Sequence, residues 1–283
     1  MSAPRERRIA LPHIEVAALE WGDGGAPPLI ALHGWLDNAM SFARVAPHLA
    51  ECFHVIALDL PGHGASDHLP PGASYHFVDY VRTVIAALDA LALPRAALLG
   101  HSLGAGVAAL VASAVPERIE RLWLIEGIGP LGDDGSRTLD RFRGALGKPA
   151  PHAATPRTFA SVEEVAAART RAAGLAAELA LPIVQRNLRA VPGGWQWRSD
   201  PRLTRPSPVR LAETQVRALL AGITAPTALL LADPATPYLP HAMMRERAAR
   251  VPRIQVEVMA GGHHLQLEHP EAVARWLLHA TAA

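Results

Sequence analysis

The chain has 283 residues, of which 50% are hydrophobic and 19% charged, a composition typical of a folded protein with a sizeable core. Its 27 Lys and Arg residues nearly balance 26 Asp and Glu residues, so no basic face for nucleic acid is predicted. A single cysteine, Cys52, excludes an internal disulfide, and no apolar leader or membrane-span-length run is present. We therefore expect a cytoplasmic protein without a membrane span.

The first part of the chain alternates apolar runs with segments of helical spacing, which predicts a parallel α/β sheet. Strands are expected over 14–21, 28–32, 54–58, 96–99 and 121–126. Helices are expected between them, over 41–50, 77–91 and 103–114.

The strand pattern stops at residue 127 and returns at residue 227. No strand is predicted in between, and the expected elements there are helices over 161–171, 175–190 and 213–220. Further strands are expected over 227–231 and 254–259, with helices over 240–250 and 271–279. A sheet interrupted once predicts a core formed by residues 1–126 and 223–283 and an inserted helical cap, residues 127–222.

The sequence Gly100-His101-Ser102-Leu103-Gly104 separates the strand predicted over 96–99 from the helix predicted over 103–114. A serine at a sharp strand-to-helix turn, with a glycine two residues away on each side, is the pattern of a nucleophile elbow. The glycines leave room for backbone that a Cβ would meet. An ordinary turn of a nucleotide-binding sheet is the alternative, but no phosphate-binding glycine fingerprint accompanies it. Ser102 is therefore the predicted nucleophile.

Acyl transfer needs two N–H donors aimed at the developing oxyanion, one from the residue after the nucleophile and one from an earlier strand-to-helix loop. Leu103 follows Ser102, and Trp35 lies in the loop after the strand predicted over 28–32. Their backbone N–H groups are the predicted oxyanion hole. The predicted walls of the substrate pocket are the side chains of His33, Trp35, His101, Trp195 and Trp197. The last two tryptophans are equally suited to the core of the cap.

His263 follows the last predicted strand, after two glycines in a loop that can carry an imidazole over the sheet edge. It is the preferred general base, and the adjacent His264 is the alternative. A His-His pair also suggests a metal site, but adjacent side chains point apart and no third ligand is patterned nearby. No metal is therefore predicted.

The acid of such a site usually follows the strand predicted over 227–231, where Thr236 stands instead. A threonine cannot stabilise an imidazolium charge. Glu126, at the end of the preceding strand, is the preferred acid, and Asp233 is the alternative. With either carboxylate the chain order serine, acid, histidine is kept.

Three blocks of the chain, residues 32–38, 59–67 with 100–104, and 262–270, resemble the α/β-hydrolase fold superfamily. More narrowly, His-Gly-Trp-Leu-Asp-Asn at 33–38 and the segments 124–130 and 194–203 resemble the serine hydrolase-like proteins. The resemblance implies a mostly parallel eight-stranded sheet with helices on both faces and an inserted helical cap.

The resemblance also favours Glu126 as the acid, because some haloalkane dehalogenases of similar fold carry their acid after the same strand. Those enzymes use an aspartate nucleophile, so Ser102 disfavours halide displacement. These residues together predict a serine hydrolase of the carboxylesterase type. It would cleave an ester or related acyl bond of a small molecule through a covalent acyl-enzyme, with Ser102, His263 and Glu126 as the triad.

This reaction needs neither a metal nor an organic cofactor. Two alternatives stay open: a carbon–carbon bond hydrolase or lyase on the same fold, and a non-catalytic binding protein on a hydrolase scaffold. The physiological substrate, its acyl chain length and the oligomeric state are not predicted.

Overall fold

The structure is a computed structural model, and it describes residues 3–147 and 157–280. The strands of the described residues are β1 (Arg5–Ala10), β2 (Glu15–Trp21), β3 (Pro28–Leu32), β4 (His54–Leu58), β5 (Ala96–His101), β6 (Ile119–Ile125), β7 (Leu188–Val191), β8 (Gly194–Trp197), β9 (Thr227–Asp233) and β10 (Ile254–Ala260). Eight of them form one sheet in the order β1-β2-β4-β3-β5-β6-β9-β10. Strand β2 pairs antiparallel with β1 and β4, and the other neighbours are parallel. The predicted mostly parallel eight-stranded sheet is confirmed.

The helices of the described residues are α1 (Ala46–Leu49), α2 (Phe77–Ala90), α3 (Leu103–Ala114), α4 (Thr138–Leu146), α5 (Val162–Ala173), α6 (Ala177–Arg186), α7 (Glu213–Leu220), α8 (His241–Ala248), α9 (Leu265–Glu268) and α10 (Pro270–His279). Within this part of the chain, none of them is both long and apolar enough to cross a bilayer.

Both faces of the sheet are covered by helices, as the sequence predicts. Helices α2, α3, α7 and α8 contribute to the hydrophobic cluster on one face, and α1 and α10 to the cluster on the other. Neighbouring residues of the central strand β5 alternate between them, with Leu98 in the first cluster and Leu99 in the second. A parallel strand buried on both faces is apolar throughout, which is why β5 reads as a continuous apolar run.

The sequence analysis did not predict strand β1. Only Ile9 of its six residues is buried, and Arg5 and Arg7 pair with Glu20 of β2. Charged side chains are typical of an exposed edge strand, where they prevent further strand pairing. Such a strand carries no clear alternation of apolar and polar residues, so its sequence does not distinguish it from a polar loop.

The prediction that no strand occurs between residues 127 and 222 is wrong. Helix α6 ends at Arg186, and strands β7 and β8 form an antiparallel hairpin instead of the predicted helix end. Gly193 in the connection takes a φ of +86°, a conformation that tight turns assign to glycine. Leu, Arg and Ala in β7 are helix formers, and the tertiary pairing with the Trp-rich β8 overrides that local preference.

We call residues 127–222 the cap segment; 148–156 within it lie outside the described residues. Buried polar contacts attach it to the loops at the carboxyl edge of the sheet. Arg186 Nε donates to Asp59 Oδ2 at 2.8 Å, and Asn38 Nδ2 donates to the Ile183 carbonyl at 2.8 Å. Because a buried charge or amide needs its partner, these contacts specify how the cap segment sits on the core.

Candidate active site

Ser102 stands between β5 and α3 with φ +53° and ψ −114°. A non-glycine residue rarely adopts a positive φ, so the backbone at this turn is strained. The Ser102 amide donates to the Ile125 carbonyl at 2.9 Å, which holds the turn against the end of the neighbouring strand β6. The side chain remains partly exposed at the carboxyl edge of the sheet.

The glycines on either side of Ser102 permit a very close approach of backbone. A Cβ at Gly104 would lie 2.0 Å from the Leu32 carbonyl oxygen, and one at Gly100 would lie 2.5 Å from Ala105 Cα. Both distances are far below van der Waals contact. The first turn of α3 therefore packs directly on β3 and β5 only because these two positions lack side chains.

We expect Gly104→Ala to lower the free energy of unfolding by about 3 kcal/mol, because backbone of β3 or α3 must move to admit the methyl group. Gly144→Ala is the matched control. Gly144 lies inside α4, and a Cβ added there would have nothing within 4 Å, so alanine is expected to stabilise by about 0.5–1 kcal/mol. Urea unfolding of the three proteins measures both effects. Equal midpoints for both variants would contradict the packing argument.

Glu126 follows β6, beside Ser102, and its carboxylate is almost fully buried, with its side chain 2% exposed. Glu126 Oε2 lies 3.0 Å from His263 Nδ1. The Ala232 amide donates to Oε1 at 2.7 Å, and the Thr236 hydroxyl donates to Oε2 at 2.7 Å. The carboxylate is thus held by three donors from β9 and the two loops that follow β9 and β10.

Burial alone would raise the pKa of the Glu126 carboxyl. The hydrogen bonds from His263, the Ala232 amide and Thr236 outweigh that effect and lower its pKa below the ordinary value. Glu126 is therefore ionised at neutral pH. An ionised carboxylate on Nδ1 keeps the proton of His263 on that nitrogen and leaves Nε2 free to accept another.

Thr236 is the residue that sequence reasoning missed. Its hydroxyl bridges the pair, since Oγ1 lies 2.7 Å from Glu126 Oε2 and 3.4 Å from His263 Nδ1. The sequence signal for this role was the position of Thr236, where the acid of such a site usually stands. Asp233, the alternative acid, has an exposed side chain that makes no hydrogen bond to any described residue. The geometry brings Glu126, and not Asp233, to His263.

His263 is held over the end of β5 through the residue before Ser102. His101 Nε2 donates to the His263 carbonyl at 2.8 Å, and the two rings lie 4.8 Å apart. Among the described residues the Ser102 hydroxyl has no hydrogen-bond partner, so proton transfer to His263 requires rotation of the serine or its displacement by substrate. Catalytic hydrogen bonds often form only once substrate is bound.

The backbone N–H groups of Trp35 and Leu103 donate to no other group in the part of the chain that the structure describes. Trp35 follows β3 in a turn closed by the Asp37 amide on the Gly34 carbonyl, and Leu103 is the first residue of α3. Two unpaired donors, one in the Ser102 turn and one in the loop after the neighbouring strand β3, are suited to an oxyanion.

The structure corrects part of the predicted pocket. His33 and His101 are fully buried, and both nitrogens of His33 are used, by the Leu60 amide and the Gly34 carbonyl, so neither ring forms an exposed wall. Burial lowers the pKa of His33 to about 4, which keeps that ring neutral. Trp35 remains a candidate wall, because its side chain is 53% exposed while Nε1 donates to the Leu203 carbonyl.

Trp195 and Trp197, the other two predicted pocket walls, pack in the cap segment itself. Both lie against a cluster that includes Phe159, Val165 and Leu188. Trp195 exchanges two backbone hydrogen bonds with Phe159, and the Trp197 and Phe159 rings are 6.1 Å apart. The half-buried tryptophans therefore pack on the hydrophobic cluster of the cap segment, and their role as pocket walls stays a prediction.

His264, the alternative base, points away from the Glu126 pair. Its Nε2 lies 3.1 Å from Asp37 Oδ2 in a buried position, while Arg169 of α5 pairs with the other carboxylate oxygen of Asp37. Burial alone would raise the pKa of Asp37, but His264 and Arg169 hold it well below its usual value. This arrangement leaves His263 as the histidine that faces the candidate catalytic groups.

The sequence was compared with known families and proteins. The profile of the α/β hydrolase fold matches residues 27–270. A serine hydrolase-like protein from Danio rerio is 28% identical over 283 residues, covering 96% of this chain and 86% of its own.

Solved structures are similar as well. A hypothetical protein from Pseudomonas aeruginosa PAO1 is 40% identical with a TM-score of 0.91, covering 100% of this chain and 99% of its own. A thioesterase domain from the curacin biosynthetic pathway is 25% identical with a TM-score of 0.85, covering 98% of this chain and 100% of its own. With the family profile spanning most of its length, the chain belongs to the α/β-hydrolase fold family.

Proposed function

We propose that this protein is a serine hydrolase that cleaves an ester or thioester bond of a small molecule. Membership of the α/β-hydrolase fold family supports hydrolytic activity in general. The observation that carries the finer proposal is the 3.0 Å contact between His263 Nδ1 and the buried Glu126 carboxylate, at the end of the strand next to Ser102. A buried carboxylate that orients an imidazole beside a strained serine is the arrangement of an acyl-transfer triad.

In the proposed mechanism, Ser102 Oγ attacks the substrate carbonyl while His263 Nε2 takes its proton. Glu126 stays ionised on Nδ1, orients the ring and stabilises the imidazolium that forms. The Trp35 and Leu103 amides donate to the oxyanion, each contributing about 3 kcal/mol to lowering the barrier. The imidazolium then gives its proton to the leaving group. Water activated by the same nitrogen hydrolyses the acyl-enzyme and regenerates Ser102.

We also propose that the cap segment is an inserted domain that limits the size of the substrate. Two half-exposed aromatic side chains are candidate walls: Trp35, in the loop after β3, and Tyr238, whose ring lies 5.9 Å from that of His263. Aromatic walls around a small polar centre suit an acyl group with an apolar body. The inclusion of thioesters is supported by the similarity to a solved thioesterase domain.

The test is a substrate panel of activated short-chain esters, acyl thioesters and ring-cleavage diketones, combined with labelling by a fluorophosphonate probe. We expect turnover of esters or thioesters and labelling that maps to Ser102. Turnover of diketones alone would favour carbon–carbon bond hydrolysis. The absence of both turnover and labelling would favour a non-catalytic binding protein on the same scaffold.

A further inference from the structure

Three buried side chains from distant parts of the chain converge behind the site. Asp37 lies in the loop after β3, His101 ends β5 and His264 follows His263; they are 1%, 0% and 5% exposed. Asp37 Oδ2 lies 3.1 Å from His264 Nε2 and 3.8 Å from His101 Nδ1, and the three atoms all lie within 4.8 Å of one another. None of the three residues acts on substrate in the proposed mechanism.

His101 carries the observation that points to a ligand. Its Nε2 donates to the His263 carbonyl, so Nδ1 carries a lone pair, and this buried nitrogen has no hydrogen-bond partner among the described residues. In the neutral ring the Nδ1 lone pair therefore faces Asp37 Oδ2 at 3.8 Å with no hydrogen bond between them, an arrangement that a cation would satisfy.

Gly34 provides the space beside this pair. A Cβ at that position would lie 3.0 Å from both Asp37 Oδ2 and His101 Nδ1. Any side chain at Gly34 would therefore occupy the approach to the two atoms. The glycine therefore keeps the two atoms clear of a side chain that would crowd a small ion.

We propose that Asp37 Oδ2, His101 Nδ1 and His264 Nε2 form a binding site for a divalent transition-metal ion of the Zn²⁺ class. Two imidazoles and one carboxylate are a typical zinc ligand set, whereas Mg²⁺ and Ca²⁺ prefer oxygen ligands. On binding, the ion replaces the hydrogen that His264 Nε2 shares with Asp37, and that ring carries its proton on Nδ1 instead. The sequence analysis predicted no metal, because no third ligand is patterned near the His-His pair; only folding brings Asp37 and His101 to His264.

Neighbouring groups orient the ligands. Arg169 pairs with Asp37 Oδ1 and leaves Oδ2 for the ion, and the His263 carbonyl fixes the ring of His101 through Nε2. Outer partners of this kind hold the ligands of metal sites in place. The positive charge of Arg169 also opposes a second cation, so we infer a reversible occupant and not a permanent structural one.

Binding would inhibit the enzyme, an inference that rests on the proposed function. Zinc bonds of about 2.0–2.1 Å place tetrahedral ligands roughly 3.4 Å apart. The ligand atoms, now spread over as much as 4.8 Å, must therefore draw together. His101 directly precedes Ser102 and His264 directly follows His263, so this movement disturbs both the nucleophile and the base.

The binding test uses Co²⁺ as an optical probe, with Zn²⁺ added to displace it. We expect one Co²⁺ per chain with visible absorption typical of nitrogen and oxygen ligands, and affinity at least about tenfold weaker in both Asp37→Asn and His264→Gln. His68→Gln is the matched control. His68 Nδ1 also lies near a carboxylate, 3.4 Å from Asp200, but belongs to no three-ligand group among the described residues. The His68→Gln variant should bind Co²⁺ as tightly as the wild-type protein does.

The inhibition test measures the rate of ester hydrolysis by each protein with Zn²⁺, relative to the rate of the same protein without metal. A chelator added afterwards shows whether the inhibition is reversible. Thermal unfolding checks that each variant is folded, and His264→Gln carries the test if Asp37→Asn proves unstable. Inhibition that persists unchanged in both variants would place the ion on His263 and overturn the proposal, as would wild-type Co²⁺ affinity in the variants. If no substrate is turned over, the cobalt titration still decides whether the site exists.

Discussion

Ser102→Ala is expected to lower kcat/KM for an activated acyl ester by at least about 10⁴-fold, since the covalent step has no other nucleophile. The methyl side chain is smaller than the hydroxymethyl group that the turn already accommodates, so the fold should persist. Fluorophosphonate labelling should disappear with the activity. Residual turnover would come from the oxyanion donors and from binding alone.

Ser113→Ala is the control for this experiment. Ser113 lies in α3, the helix that begins after Ser102, and its hydroxyl donates to the Leu219 carbonyl at 2.6 Å. Its loss should cost about 1 kcal/mol of stability and leave turnover unchanged. Undiminished ester hydrolysis and labelling in Ser102→Ala would rule out covalent catalysis at this serine.

Glu126→Gln is expected to lower kcat by about 10⁴-fold while keeping the shape of the side chain. The amide cannot stabilise the imidazolium, and its NH₂ group can donate to Nδ1 and so favour the unproductive tautomer of His263. Asp233→Asn should change kcat less than about twofold, because the exposed Asp233 side chain contacts no group of the site. A larger loss in Asp233→Asn than in Glu126→Gln would reverse the assignment of the acid.

The position of Thr236 allows a more demanding version of this test. Thr236 Oγ1 lies 3.4 Å from His263 Nδ1, so an aspartate there, one atom longer, can reach the ring. Adding Thr236→Asp to Glu126→Gln should recover at least about tenfold in kcat, since a carboxylate again accepts from Nδ1. Adding Thr236→Asn instead supplies a side chain of the same size without the charge, and kcat should not recover. Equal recovery by both would show that the charge is not what matters.

Local patterns in the sequence determined much of this protein. The apolar run of β5, the glycines around Ser102 and the helical spacing after it specify a strand-to-helix turn, because each depends on neighbours within a few residues. The parallel strands then bring their carboxyl ends to one edge, where Glu126 follows β6 and His263 follows β10, which made these two residues foreseeable partners. Their contact is seen in the structure, and their catalytic roles are predictions for the experiments above.

Long-range contacts decided the rest. The sequence shows a threonine at position 236 where the acid usually stands, but only folding puts its hydroxyl between Glu126 and His263. The burial of His33 and His101 likewise follows from packing that no local pattern records. Asp37 and His264 are 227 residues apart in the chain, so only the folded sheet brings them and His101 together. Residue type and spacing determine which groups a turn can present; the tertiary packing determines which of them face substrate, which face each other, and which are buried.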